Sequence, residues 1–202
     1  MDFIGAHDYI VNRLKNELAK EFSYHSVDHT LDVLDACRRL ARLEKVNGDL
    51  LPLLETAALF HDAGILIRYK DHENSSVAIA REILPQYGYL PDETETIAGL
   101  IQVTRLPQQA TTLAEQILCD ADLDYLGRDD FFIHSFQLQL EWKNLGILES
   151  TLEEWFKIQV KFLGEHRYYT ASAKLLRNER KLKTLGQITE MVKQQNSESV
   201  IH

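Results

Sequence analysis

The sequence predicts an all-α protein that folds as one domain. Apolar residues recur at the helical period in several stretches, and no stretch shows the alternation of a half-buried β-strand. The chain holds 9 glycines and 4 prolines, with no internal repeat and no low-complexity linker. Its 202 residues are enough to bury about 70% of the unfolded surface in a single core. Helical spacing is seen, for example, in Ile10, Leu14 and Leu18, and in Leu54, Ala57, Ala58 and His61.

Helix-breaking residues divide the chain into ten predicted helices. These lie near 5–21, 27–46, 50–62, 74–86, 91–104, 112–126, 129–145, 151–163, 165–178 and 180–195. The breaks fall at Gly48, at Ala63-Gly64, between Pro85 and Pro91, at Pro107 and at Gly127. We therefore expect a single helical domain over 1–195 and a flexible polar tail over 196–202.

Composition narrows the classes of function. The net charge of −9 offers no basic face, so we expect no nucleic-acid polymer as a partner. A bound divalent cation would still let an acidic protein take a phosphate substrate. Cys37 and Cys119 form no CxxC motif and lie in apolar helical patterns, which predicts buried core residues. No apolar run approaches the ~20 residues that span a bilayer, and the N-terminus lacks the features of a signal peptide, so we expect a cytoplasmic protein without a membrane partner.

The segment 50–64 carries the first chemical signal, because an apolar helix ends there in His61-Asp62. His61 lies on the apolar stripe of this helix and should point inward. A buried carboxylate beside it would be costly without a partner. A divalent metal removes that cost, since imidazole and carboxylate are both metal ligands. The alternative is a hydrogen-bonded His–Asp pair that ends a core helix.

Two further segments add candidate ligands. His25 and His29 are four residues apart and would share a face of one helix, unless Ser26 caps the helix and leaves His25 on the preceding turn. Asp120, Asp122 and Asp124 alternate in a stretch that otherwise reads as core. Helical phase disfavours Asp120, which we expect on a solvated acidic face, and leaves Asp122 and Asp124 as candidates.

The order His29, then His61-Asp62, then Asp122 resembles the signature of the HD-domain metal-dependent phosphohydrolase superfamily. The stretch Tyr24-His25-Ser26-x-x-His29 is also similar to the Tyr-His-Asn-x-x-His element of cyclic-nucleotide phosphodiesterases, with serine in place of asparagine. The resemblance covers residues 22–127. It implies a compact HD-type bundle of about 8–10 helices.

The resemblance also implies roles for single residues. His29, His61, Asp62 and Asp122 would bind the metal, and Asp122 is preferred over Asp124 because Ala121-Asp122 matches the last motif of the superfamily. His25 corresponds to the histidine that protonates the leaving oxygen, so His25 and Asp62 are the catalytic candidates. His72-Glu73 before Ser75-Ser76 resembles an element that faces a second metal or the substrate phosphate.

Three cations and one late cluster complete the list of candidates. Arg68, Lys70 and Arg105 could bind a phosphate, together with His72, or they could simply be solvated. Many two-metal members carry a further histidine where Thr104 stands, so the sequence does not require two metals. The cluster over 165–170, which includes His166, Arg167 and Tyr168, could cover a substrate, but it more simply predicts helix packing.

The sequence thus predicts a divalent-metal-dependent phosphohydrolase that acts on a small phosphoester by metal-activated water attack. The ligand types suit Mn, Fe, Mg, Co or Ni, and the resemblance makes a nucleotide the leading substrate. The main alternative is a catalytically silent sensor that binds metal or nucleotide on the same fold. A diiron oxygenase on the same scaffold would use additional histidines, and the lack of one near Thr104 weighs against it. The oligomeric state stays open, a homodimer included.

Overall fold

The structure, a computed structural model, describes residues 1–198, and the side chains of 1–194. It is all-α, with nine α-helices and no β-strand in this part of the chain. The predicted tail at 196–202 falls outside the residues whose side chains are described. The helices are α1 (Phe3–Glu17), α2 (Val27–Leu43), α3 (Leu50–Phe60), α4 (His72–Ile83), α5 (Pro91–Gln102), α6 (Leu113–Asp122), α7 (Phe131–Asn144), α8 (Leu152–Glu165) and α9 (Ala171–Glu198).

Capping side chains start the helices that matter for the site. Ser26 caps α2 and accepts a hydrogen bond from the His29 backbone N–H, which resolves the open question about His25. His25 therefore precedes the helix. Thr112 caps α6 in a box with Glu115, and Thr151 caps α8 in a box with Glu154. Short 3₁₀ segments follow α3, α4 and α6. After α4 and α6 they replace the predicted ends of the α-helices, and after α3 the segment lies at the predicted break at Ala63-Gly64.

The last two predicted helices are wrong, because residues 171–198 form one continuous helix, α9. The sequence Asn178-Glu179-Arg180 contains no glycine or proline that would break it. The predicted start at 165 is also wrong. The carboxylate of Asp120 accepts hydrogen bonds from the backbone N–H groups of Tyr169 and Thr170, and this holds the chain extended just before α9.

Helix α3 forms the centre of the molecule. It packs against α1, α2, α5 and α6, and its C-terminal half is fully buried. Because α3 is surrounded by other helices, its apolar character extends all around it. Cys37 and Cys119 lie in the core as predicted. His61 and Asp62 follow α3 directly, so both are placed inside the protein without a long connecting loop.

Gly64 permits the close approach of two segments at the site. A Cβ atom at this position would lie 2.0 Å from the carbonyl oxygen of His72. The Gly64 N–H also donates to the Ser76 hydroxyl at 2.8 Å. The 3₁₀ turn after Asp62 can therefore press against the first turn of α4, which brings His72 next to Asp62.

None of the helices over 1–198 is both long enough and apolar enough to cross a lipid bilayer.

Candidate metal centre

The structure brings His29, His61, Asp62 and Asp122 together. His29 lies in the first turn of α2, His61 and Asp62 follow α3, and Asp122 is the last residue of α6. The Nε2 atoms of both histidines face the same two oxygens. Asp62 Oδ2 lies 3.4 Å from His29 and 3.1 Å from His61, and Asp122 Oδ1 lies 3.5 Å and 3.6 Å from them.

This arrangement fits a divalent cation. Donor atoms about 2.1 Å from a common ion lie about 3.0–3.4 Å apart, which is close to the separations in the cluster. The Nε2 atoms of His29 and His61 are buried and have no hydrogen-bond partner. The ring of His61 donates from Nδ1 to the Ala58 carbonyl at 2.7 Å, so its Nε2 lone pair faces the cluster.

The shifted pKa values of His29, His61 and Asp62 also fit a bound cation. Burial alone would lower the pKa of His61, but the negative charge of Asp62 and the nearby carboxylate of Asp122 outweigh it and raise that pKa well above its usual value. The pKa of His29 is raised by the same carboxylates against the effect of burial. Burial would raise the pKa of Asp62, but His61 and the neighbouring histidines hold it well below its usual value. The carboxylates therefore attract positive charge, which a proton or a metal can supply.

A second group of potential ligands shares Asp62. His25, Asp62 and His72 each offer an atom, and these atoms lie within 4.8 Å of one another. His72 Nε2 is 3.1 Å from Asp62 Oδ1, while its Nδ1 donates to the Tyr69 carbonyl at 2.9 Å. Burial would lower the pKa of His72, but Asp62 and Glu73 raise it to about 9. The two oxygens of Asp62 thus face two different sets of histidines.

Sequence reasoning missed Glu141, which holds His25 in place. This carboxylate in α7 is fully buried, and it accepts hydrogen bonds from the backbone N–H groups of Tyr24 at 2.8 Å and His25 at 2.9 Å. It also makes a short contact with His25 Nδ1, which leaves the other ring nitrogen of His25 free. A signal was present in the sequence, because Glu141 lies on the same helical face as Leu138 and Trp142.

Asp120 and Asp124 have structural roles instead. The prediction that Asp120 lies on a solvated face is wrong, since the residue is 1% exposed and its carboxylate is bound by the segment before α9. Helical phase had misled us because the neighbouring segment covers that face. Asp124 is also buried, and it accepts hydrogen bonds from Arg39 at 2.8 Å and from Arg177 at 2.8 and 2.9 Å.

A cavity of about 550 Å³ opens above the cluster. Its floor includes His25, Asp62, His72 and Asp122, with Lys70 also contributing to the lining. The opposite side comes from α7, α8 and the connection between them. That side is formed by Leu138, Trp142, Ile147, Ile158, Gln159 and Phe162.

The remaining candidates are distributed unevenly around this cavity. Lys70 lines it, whereas Arg68 and Arg105 do not. Arg68 donates to the Ser75 hydroxyl at 2.9 Å, and Arg105 pairs with Asp71. His166, Arg167 and Tyr168 line a neighbouring cavity of about 680 Å³, and Tyr168 itself is buried against His166.

A known protein family matches part of this chain. The HD-domain family model matches residues 26–124, a stretch that contains all four residues of the cluster. An uncharacterized protein of Clostridium beijerinckii is 35% identical over 92 residues. That alignment covers 44% of this chain and 58% of the relative, so the two proteins correspond over only part of their lengths.

Three solved structures share the fold. A Lactobacillus plantarum protein is 20% identical with a TM-score of 0.69, and the match covers 100% of both chains. Bacillus subtilis YpgQ, solved in complex with ADP, is 18% identical with a TM-score of 0.65, over 93% of this chain and 97% of that one. A predicted HD superfamily hydrolase from an uncultured Thermotogales bacterium is 19% identical with a TM-score of 0.62, over 93% and 91%. Residues 26–124 of this chain thus match the HD domain, and the all-α fold is shared with these three structures.

Proposed function

We propose that this protein is a divalent-metal-dependent phosphohydrolase and that its substrate is a small phosphoester, with a nucleotide as the leading candidate. One observation carries the proposal. The buried Nε2 atoms of His29 and His61 have no partner other than the carboxylates of Asp62 and Asp122, and these two carboxylates line a cavity large enough for a nucleotide. The complex of the similarly folded YpgQ with ADP supports the choice of a nucleotide.

In this proposal His29, His61, Asp62 and Asp122 hold the cation. When bound, such a cation makes water acidic enough to attack phosphorus near neutral pH. Lys70 is the one lysine or arginine among the described residues that line the cavity, and it is placed to pair with a phosphate oxygen. Trp142, Phe162 and their apolar neighbours on α7 and α8 limit the access of bulk water to the reaction.

His25 donates a proton to the leaving oxygen. Glu141 accepts the Nδ1–H of its ring, so the Nε2 atom is directed away from Glu141 and is available to the substrate. Glu141 thus acts as a positioning residue through His25.

The role of His25, as a proton donor or as a metal ligand, depends on whether one or two cations bind. Asp62 faces His72 with one oxygen and the main cluster with the other, so a second cation could bind among His25, Asp62 and His72. A histidine that binds a cation through Nε2 cannot also donate a proton from that atom. We therefore propose one cation at the main cluster, with His72 directed towards the substrate phosphate.

Hydrolysis assays test the function. Purified protein is incubated with Mn²⁺, Mg²⁺, Co²⁺ or Ni²⁺ and with nucleoside mono-, di- and triphosphates, and phosphate release is measured. We expect at least one metal and nucleotide pair to support turnover, and the Asp62→Ala variant to lose at least about 100-fold of it. The matched control is Asp35→Ala, an exposed aspartate on α2. Metal binding without release of phosphate from any phosphoester would favour a catalytically silent sensor.

A further inference from the structure

Helix α8 contains one polar residue that the proposed chemistry does not use. Gln159 is 3% exposed and lies on the buried face of α8, together with Trp155 and Leu163. Its side-chain amide makes no hydrogen bond within the described part of the chain, and its Oε1 atom is buried without a partner. Buried amides are normally paired, so an unpaired one calls for an explanation.

The position of Gln159 supplies that explanation. It lines the main cavity on the side of α7 and α8, where its neighbours are apolar or aromatic. The indole N–H of Trp142 donates to the Tyr69 hydroxyl at 2.5 Å, so that group is already paired. Among the cavity residues from these two helices, Gln159 therefore has the polar group that is left for a ligand.

An amide has a specific chemical meaning in this setting. It offers one acceptor and one donor side by side, and a half-turn of the amide exchanges them. Nucleobases present a complementary donor and acceptor on one edge, while their flat faces pack well against rings such as Trp142 and Phe162. A simple apolar leaving group would gain nothing from a buried amide.

We infer that Gln159 is the residue that selects the base of the substrate, by hydrogen bonding to the edge of a nucleobase held between α7 and α8. The inference rests on the proposed function, because it takes the phosphate of the same molecule to lie above the metal cluster. It adds that the cavity discriminates among bases, and it assigns that discrimination to one side chain.

The test is a comparison of binding affinities. AMP, GMP, CMP, UMP and ribose 5-phosphate, which lacks a base, are titrated into wild-type protein and into Gln159→Leu, with Mg²⁺ present. Calorimetry gives the affinities, and quenching of tryptophan fluorescence gives a second signal because Trp142 lines the cavity. Gln187→Leu, which alters an exposed glutamine on α9, is the matched control.

We expect wild type to prefer one base by at least about tenfold over the others, which is the effect of one hydrogen bond to a buried group. Gln159→Leu should lose this preference and leave the affinity for ribose 5-phosphate unchanged, whereas Gln187→Leu should match wild type. Unchanged base preference in Gln159→Leu would overturn the inference. Gln159→Met provides a second apolar side chain of similar length, should the leucine variant lose stability on heating.

Phosphate release from p-nitrophenyl phosphate separates this inference from the proposed function. That compound has no nucleobase, so its turnover by wild type reports on hydrolysis independently of base selection. Base-selective binding with no turnover of any phosphoester would contradict the hydrolase and support the inference. Turnover that releases phosphate from all four nucleotides at equal rates and affinities would support the hydrolase and contradict the inference.

Discussion

Asp62 is the residue on which the proposed metal centre depends most, because its two carboxylate oxygens face different partners. Oδ2 lies near the Nε2 atoms of His29 and His61, and Oδ1 lies 3.1 Å from His72. The side chain is buried, and its low pKa keeps it ionised. Since an ionised buried carboxylate needs compensation by positive charge, Asp62 links the proposed metal ligands to His72, which is proposed to face the phosphate.

Glu141 provides a test at the same scale. Replacement by glutamine keeps the size of the side chain but removes the negative charge that faces His25. We expect kcat for a nucleotide to fall by about 10–100-fold, while KM and metal content change little. The measurement is steady-state kinetics of Glu141→Gln beside wild type.

The choice of leaving group distinguishes positioning of His25 from a structural role. The leaving group of p-nitrophenyl phosphate is stable without a proton, so its turnover should fall less than that of a nucleotide monoester. An equal loss for both substrates would show that Glu141 acts on the site in some other way.

At the scale of elements, α6 and the 3₁₀ turn after it carry one acid that is proposed to bind the metal and one that joins neighbouring helices. Asp122 ends α6 and faces His29 and His61. Asp124, two residues later, joins this turn to α2 through Arg39 and to α9 through Arg177. Gly127 supports the same joint, because a Cβ atom there would lie 2.4 Å from the carbonyl oxygen of Arg177.

Substitution of Asp124 should lower stability without affecting metal binding, whereas substitution of Asp122 should affect metal binding and change stability little. Asp124→Asn leaves two arginines around a neutral side chain, and we expect the free energy of unfolding to fall by about 2–4 kcal/mol, with metal content of the folded protein unchanged. Asp122→Asn should abolish metal binding and change the stability of the metal-free protein much less. Urea unfolding and metal analysis of both variants provide the comparison. Metal loss in Asp124→Asn alone would mean that the ligand was assigned to the wrong aspartate.

At this scale the sequence was informative where helices are long and periodic. The buried helix α3 and its His61-Asp62 ending could be predicted, because the apolar run and the chemistry are contiguous in the chain. The choice between Asp122 and Asp124 could not be made from helical phase. Both side chains point into the protein, and the arginines that bind Asp124 come from distant positions in the sequence. Only the resemblance of Ala121-Asp122 to the last motif of the superfamily favoured Asp122 over Asp124.

Over the whole molecule, the residues with proposed roles that the sequence did not reveal come from the second half of the chain. Glu141 and Gln159 lie outside residues 26–124, which match the HD domain, and each is a polar residue on an otherwise buried helical face. Such a residue can be noticed in a sequence, but its partner cannot. Only the packing of α7 and α8 over the His/Asp cluster shows that Glu141 contacts His25 and that Gln159 lines the cavity.

The net charge of −9 belongs to this scale as well. Without a metal, a cluster in an acidic protein would repel an anionic substrate. A bound cation would supply the local positive charge for phosphate binding. The substrate side of the cavity contributes little charge of its own, since its lining from α7 and α8 is mostly apolar. We therefore propose that the floor of the cavity binds the phosphate and that α7 and α8 select the substrate.

The most direct test of the central claim is the metal content of the purified protein after it is loaded with Mn²⁺ and freed of excess metal. We predict about one tightly held cation per chain in wild type, and none in Asp62→Ala. Two cations per chain would keep the metal centre but reassign His25 and His72 as ligands. A wild-type protein that holds no Mn²⁺, Fe²⁺, Mg²⁺, Co²⁺ or Ni²⁺ under any loading condition would contradict the claim.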